Sequence, residues 1–387
     1  MMPATRSLEQ DSQLDSSYQP LAKTGRESSP RNILLTGATG FVGVHLLTEL
    51  IQQSDATIYC LIRQLEKKRE PFAEHLNTYQ FSTLHNHPRI VLIDGDFSLP
   101  NFGLSDNDYT LLAETVDSIY HCGAFVHHAH SYEKLYSSNV ASIFEVLKLA
   151  STSHNKHIHY INTLGVLSNS DTENPGQFVG ENTSHLVPIG YPRSKWVAER
   201  LLGQASERGF SVSSYRFGFV HGQSTTGITP NANWDHFLRF VKACGQMGFG
   251  PNDWGTAAQN TVDNLSKLIV AISLHDDATG QAFNFYDPNT PSWMDVLGYL
   301  SDYGIPVKLV DNETWLNQHL ANVDESNALF PLRPFYLPVA VIDDLPALID
   351  TSNTATMMEE LGLSYTPMDN GLFFKYFDHL GSWLTET

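Results

Sequence analysis

Cysteine is scarce: three residues in 387, Cys60, Cys122 and Cys244, stand far apart and form neither a CxxC pair nor a zinc-type spacing. A disulfide framework and a structural zinc site are therefore not expected, and unpaired thiols suit a reducing compartment. Basic residues are also few, with 23 Lys and Arg against 42 Asp and Glu, a formal charge of −19. A nucleic-acid surface would work against that field, so nucleic acid is not an expected partner. Long apolar runs are missing too. Stretches such as Leu268 to Leu274 fall far short of the roughly 20 residues that cross a bilayer, and no apolar signal core opens the chain. The expected setting is the cytoplasm, with no membrane span.

Hydrophobic residues make up 41% of the chain, enough for the core of one large domain with a smaller lobe. Residues 1–30 are the exception. Rich in Ser, Gln, Asp and Pro without apolar periodicity, they read as a flexible tail. From Arg31 a strand–helix–strand rhythm begins, with a strand at Asn32–Thr36, a helix at Val42–Gln53 and a strand at Thr57–Arg63. Further strand-like runs follow at Ile90–Ile93, Ser118–His121, His157–Asn162 and Ser211–Arg216, with helical segments at Ser138–Ser151 and Pro192–Glu207. Such alternation predicts an α/β fold, a Rossmann-type doubly wound parallel sheet with a smaller, mainly helical C-terminal substrate lobe. The expected division is a nucleotide-binding domain over 31–275, with parts of 222–262 contributing to the lobe, and the lobe proper over 276–387.

Gly37, Gly40 and Gly43 are spaced GxxGxxG between the first strand and the first helix. In that setting the first two glycines allow a tight turn and close approach of phosphate oxygens, and Gly43 allows helix–strand packing. The helix N-terminus faces the pyrophosphate, so Thr39, Phe41 and Val42 join the candidate cofactor residues. At the end of the second strand, an NAD-preferring site would carry a carboxylate against the ribose hydroxyls. Here the chain reads Cys60-Leu61-Ile62-Arg63-Gln64. Arg63 can fork onto a 2′-phosphate, which favours NADP(H); of the nearby Lys67, Lys68 and Arg69, Lys67 and Lys68 read best as a solvated helix face. Asp96, followed by Phe97, is placed either to accept from the adenine amino group or to cap its own turn. Gly123 and Ala124 follow the next strand as a second backbone approach, Asn139 is placed to brace the site, and Phe217 and Gly218, with Lys195 on the nicotinamide ribose, complete the cofactor set.

Tyr191 and Lys195 form a YxxxK pair, which one helix face presents together. A nearby ammonium lowers a phenol's pKa, the expected effect of Lys195 on Tyr191. Thr163, closing the strand His157–Asn162, supplies a second hydroxyl for a substrate carbonyl. Histidines gather at His121, His127, His128 and His130 and again at His154, His157 and His159, but no carboxylate or thiol spacing completes a ligand set, so no metal is expected. Phe237, Phe240, Trp254 and Trp293 read either as an acyl channel or as core, with core favoured.

The order and spacing of these motifs resemble the thioester reductases that terminate nonribosomal peptide synthetases, aminoadipate reductases and carboxylic acid reductases, within the extended short-chain dehydrogenase/reductase superfamily. The resemblance runs from about Asn32 to Trp293 and rests on TGATGFVG at 36–43, CLIR at 60–63, DGDFSLPNFGLS at 94–105 and VDSIYHCGAFVHH at 116–128. It continues through YSSNVASIFEVLKLA at 136–150, HYINTLGVLS at 159–168, GYPRSKWVAERLL at 190–202 and YRFGFVHGQSTTG at 215–227. It implies that NADPH reduces an acyl thioester on a carrier protein or CoA to an aldehyde, some members continuing to the alcohol, with Thr163, Tyr191 and Lys195 as the catalytic group. Two departures stand out. Cys122 and His127 occupy a loop that commonly reads HNGA in the family, and only the tail precedes Arg31, so a carrier protein is expected to be met in trans. The alternatives are a sugar-nucleotide or small-alcohol dehydrogenase using the same triad, and a non-catalytic NADP-sensing protein.

Overall fold

The short helix α1 (Leu8–Asp11) precedes the first strand, β1 (Asn32–Thr36), in a computed structural model that describes residues 6–22, 29–127, 130–167, 176–181, 189–256, 258–336 and 349–386. Strands and helices then alternate through α2 (Phe41–Gln53), β2 (Thr57–Ile62), α3 (Leu65–Thr78), β3 (Ile90–Asp94), α4 (Asp106–Thr115) and β4 (Ser118–His121). Next come α5 (Tyr132–Tyr136), a π-helical turn over Ser137–Ala141, α6 (Ser142–Ala150), β5 (His157–Thr163), α7 (Gly190–Glu207) and β6 (Val212–Phe217). After these lie β7 (Phe219–His221), α8 (His236–Met247), β8 (Phe249–Pro251), β9 (Gln259–Thr261), α9 (Val262–Ser273), β10 (Ala282–Phe285), α10 (Trp293–Asp302) and β11 (Lys308–Val310).

The main sheet has seven strands in the order β10-β6-β5-β4-β1-β2-β3. Its pairings β1·β2, β1·β4, β2·β3 and β4·β5 are parallel, so the expected doubly wound sheet holds. Ile33, Leu34 and Leu35 are fully buried, as a strand covered on both faces requires. The order reverses between β1 and β4, which is where a doubly wound sheet opens its crevice for a ligand.

Two expectations are corrected. Residues 6–22 are not a loose tail: Leu14 is buried, and α7 grips their backbone. Arg208 donates to the carbonyls of Leu14 and Asp15, both at 2.6 Å, and Gln204 donates to Ser12 O at 2.6 Å while accepting from Leu14 N at 3.1 Å. Tyr132 OH donates to Asp11 at 2.9 Å, and the Arg6 guanidinium lies 3.3 Å over the Tyr136 ring. Residues 1–5 and 23–28 of the expected tail lie outside the described residues.

The second correction concerns the boundary at 275/276. The chain divides into one unit of residues 1–216, 266–284 and 350–363 and a second of 217–265, 285–349 and 364–387. Residues past 275 return to the sheet because β6 still has an open edge. Gly280 N donates to Val212 O at 2.7 Å, and Ser214 N donates to Gln281 O at 3.0 Å. The second unit has its own core around α8, α10 and the helix Asn370–Leu380, including Phe237, Phe240, Trp254, Trp293 and Trp315. Trp254 stacks on Phe240 with centroids 5.2 Å apart and crosses Trp315 edge-on at 4.9 Å. The four aromatics considered for an acyl channel are therefore core, where each fully buried ring contributes about 1.5–3 kcal/mol.

Candidate active site

Between β1 and α2 the chain turns through Gly37 at φ +74°. A Cβ at Gly37 would lie 2.6 Å from Gly123 N, and one at Gly43 would lie 2.0 Å from the Gly37 carbonyl oxygen. Neither position admits a side chain. Gly40 N closes the turn onto Gly37 O at 2.9 Å, and Gly40 serves as N-cap of α2 without any side-chain capping bond. Thr39, Phe41 and Val42 thus frame a bare helix N-terminus, whose first amides lack intrahelical acceptors and whose dipole favours an anion.

The end of β4 is fastened to this loop. Gly123 N donates to Thr36 Oγ1 at 3.0 Å, Thr36 Oγ1 pairs with His121 Nδ1 at 2.9 Å, and His121 Nε2 pairs with Ser142 Oγ at 3.3 Å. A Cβ on Gly123 would lie 2.6 Å from the Phe97 ring, so Gly123 is the residue over which Phe97 can lie. Ala124 follows on an irregular loop after β4.

A pocket of about 290 Å³ is lined by Thr39, Ile62, Arg63, Lys68, Pro71, Phe72 and His75. The glycine loop and α3 thereby share one cavity. Arg63 has a side chain 71% exposed, with Nη1 3.7 Å from Asp96 Oδ2. Lys67 and Lys68 are both exposed on α3, in line with the solvated reading, and Lys68 also lines the cavity. Asp96 Oδ1 accepts from Ser98 N at 2.9 Å and Ser98 Oγ at 2.6 Å, so one carboxylate oxygen serves its own turn, while Oδ2 faces Arg63.

Thr163 ends β5, and its Oγ1 accepts from Gly165 N at 3.2 Å. A Cβ on Gly165 would lie 3.6 Å from that hydroxyl and 3.8 Å from the Pro192 ring, which brings the start of α7 against the end of β5. On α7, Lys195 is 2% exposed; its Nζ donates to Ile161 O at 2.6 Å and stands 4.0 Å over the Tyr160 ring. Burial lowers the Lys195 pKa to about 7, against the opposing pull of Cys122 and Glu199. The Tyr191 phenol moves the other way from the expectation. Burial, and then Cys122, push it above the ordinary tyrosine range. Lys195 does not reverse this because its amine is turned to the β5 carbonyl.

Asn139 lies in the π-helical turn before α6, an irregularity often found at functional positions. Its Oδ1 accepts from Phe125 N at 2.7 Å, and its Nδ2 donates to Phe125 O at 3.1 Å and Ser194 Oγ at 3.0 Å. Ser194 Oγ in turn donates to Tyr191 O at 2.8 Å. One buried amide thus joins the loop after β4 to the first turn of α7.

Phe217 closes β6 and falls in the second unit with Gly218. A Cβ on Gly218 would lie 2.2 Å from Ala258 O, a packing reason for glycine that needs no ligand. Among the described residues no group of three His, Cys, Asp or Glu is placed to hold a metal. His157 and His159 instead pair with Ser213 at 2.9 Å and Tyr215 at 2.9 Å, while His128 lies outside the described residues. No described helix is long and apolar enough to cross a membrane. Sequence reasoning passes over Ser194 and Glu199. Glu199 lies eight residues beyond Tyr191, and a helical face read one turn further finds it.

The family of NAD-binding domains described as male sterility protein matches residues 35–269. One of the proteins of the linear gramicidin synthase of Brevibacillus parabrevis is 32% identical over 305 residues, covering 76% of this chain and 6% of that protein. The large chain of the L-2-aminoadipate reductase of Eremothecium gossypii is 31% identical across 90% of this chain and 27% of its own length. The chain thus spans only a minor part of either relative. The terminal R domain from the myxalamid PKS-NRPS biosynthetic pathway superposes with a TM-score of 0.86 at 31% identity, covering 96% of each chain. The chain belongs to the male sterility family of NAD-binding domains, with the terminal reductase domains of nonribosomal peptide synthetases, in the extended short-chain dehydrogenase/reductase superfamily.

Proposed function

We propose that the protein is an NADPH-dependent reductase of acyl thioesters held on a carrier protein or CoA, working in the cytoplasm. The observation that carries this reading is the match to the myxalamid reductase domain over 96% of both chains. The glycine cradle and the placement of Thr163 beside the start of α7 support it. The residues present fit the cofactor: Gly37 and Gly43 let the loop close on Gly123 and on itself, the α2 N-terminus carries no side-chain cap, and Arg63 stands in the pocket that Thr39 also lines.

NADPH, when bound, supplies the hydride. Thr163 and Tyr191 donate hydrogen bonds to the thioester oxygen, so donors are in place before charge develops on it. As the carbonyl carbon gains hydride, the oxygen takes the Tyr191 proton, giving a hemithioacetal. A phenol held above its ordinary range is protonated throughout the neutral range, which is the form a reduction needs. The Lys195 ammonium spends one donor on Ile161 O and keeps two that can turn to the phenolate once it forms. The hemithioacetal C–S bond then breaks: its hydroxyl proton returns to the Tyr191 phenolate, the departing thiolate takes a proton from solvent, and aldehyde and carrier thiol leave.

NADPH oxidation followed at its own absorbance, with acyl-CoA and an acyl-carrier thioester supplied side by side, tests the reading. Turnover with equimolar release of thiol is expected; oxidation with neither thioester would overturn it. We assign the ribose 2′-phosphate to Arg63. Arg63→Ala is expected to weaken NADPH binding about ten- to a hundredfold and to leave NADH binding within about twofold. A fluorescence titration showing equal losses for both would remove Arg63 from that role.

A further inference from the structure

Glu199 is fully buried on α7, one helical turn beyond Lys195 and two beyond Tyr191. Each of its oxygens is engaged. Oε2 accepts from the Asn162 side-chain amide and from Ser214 Oγ at 2.8 Å, while Oε1 accepts from Val179 N at 3.1 Å. Arg216, 1% exposed on β6, donates through Nε to both oxygens at 3.0 Å and pairs with Oε1 through Nη2. The guanidinium also reaches Gln177 O at 2.8 Å and Asn284 Oδ1 at 3.2 Å. Asn162 is the residue immediately before Thr163, and Ile161, just before it, takes the Lys195 amine on its carbonyl.

Two successive rungs from one face of α7 therefore hold the last residues of β5. Lys195 grips the Ile161 backbone, Glu199 grips the Asn162 side chain, and Thr163 follows. A buried ion pair contributes little net stability, because the desolvation cost of both charges offsets their attraction. The position of this one relative to Lys195 gives it another use. Of the ionisable groups facing Lys195, Tyr191 shares its helix, Tyr160 comes from β5, and His121 and Cys122 stand at the end of β4. His121, Cys122, Tyr160 and Tyr191 are each held in their neutral form by burial, and Glu199 is the carboxylate among them.

We propose that Glu199 is a positioning residue for the reduction, fixing the Ile161–Thr163 end of β5 from α7 and supplying the negative charge that holds Lys195 as an ammonium. The proposal rests on the thioester-reductase reading above. Its test is the pH dependence of kcat for NADPH-dependent acyl-CoA reduction by the full chain. Wild type is compared with Glu199→Gln and with Glu199→Gln/Arg216→Met, which removes both buried charges while leaving an acceptor for Asn162 or Val179.

In both variants the alkaline limb of the profile is expected to move about one unit toward lower pH, a roughly tenfold loss of kcat at the upper end. NADPH affinity by fluorescence titration stays within about twofold, and the double variant regains melting temperature lost in the single. If Glu199→Gln does not fold, the double variant carries the test. A limb that stays in place, or one that returns in the double variant together with stability, would reduce Glu199 to a structural partner of Arg216. A wild type that oxidises no NADPH with acyl-CoA or an acyl-carrier thioester would reject the parent reading instead.

Discussion

Tyr191→Phe is expected to lower the rate of NADPH-dependent thioester reduction by about 10²–10⁴-fold, the range for loss of a positioned proton donor. The ring stays where it is. Its helix is anchored through Lys195 on Ile161 O and through the Asn139–Ser194 chain, neither of which uses the phenol. NADPH binding should therefore remain within about twofold, because the glycine cradle and the Arg63 pocket lie on other loops. Stopped-flow measurement of hydride transfer under single turnover separates the two effects. A variant that kept its rate would place the proton donor elsewhere, and one that lost rate and NADPH affinity together would make Tyr191 a packing residue. Because burial holds the phenol protonated, the wild-type rate should not fall between pH 6 and 8 through titration of Tyr191.

The parts of the site legible in the sequence are those whose chemistry is local. Gly37 and Gly43 announce themselves because the turn between one strand and one helix demands them: Gly37 has a positive φ, and a Cβ on Gly43 would strike the Gly37 carbonyl oxygen. Tyr191 and Lys195 are legible because four residues on a helix make one face. What the sequence conceals depends on distant partners. The docking of residues 6–22 is made by Gln204 and Arg208 reaching their backbone carbonyls, a pairing that leaves no apolar period to read. The return of β10 to the sheet depends on β6 having an open edge, which no property of residues 282–285 reveals. The direction of the Tyr191 shift is hidden for the same reason. Spacing predicts that Lys195 shares its face but not that the amine is turned to Ile161, nor that Cys122 stands opposite.

Acidification should weaken the first unit before most of its carboxylates titrate. His121 is 1% exposed, and burial, followed by the charge of Lys195, lowers its pKa to about 3. An unfolded histidine titrates near 6.5, so the unfolded chain takes up a proton between pH 6.5 and 3 that the folded chain refuses. Stability from the neutral ring is thus complete above pH 6.5 and is lost as the pH falls, by about 2 kcal/mol at pH 5. His75, also lowered by burial, acts in the same direction. Lys156, lowered by burial to about 8, completes most of its change above this window. In the second unit the outcome differs. His221, lowered by burial to about 4, carries a similar penalty, but burial raises Asp235 to about 6, so the folded unit gains a proton there first and offsets more than half of it. Differential scanning calorimetry between pH 7 and 5 should show the first unit's transition falling by about 5 °C and the second's by less. His121→Asn, which cannot titrate, should flatten the first unit's fall while lowering its starting point through the bonds lost to Thr36 and Ser142. An unchanged slope in that variant would assign the acid sensitivity to other groups.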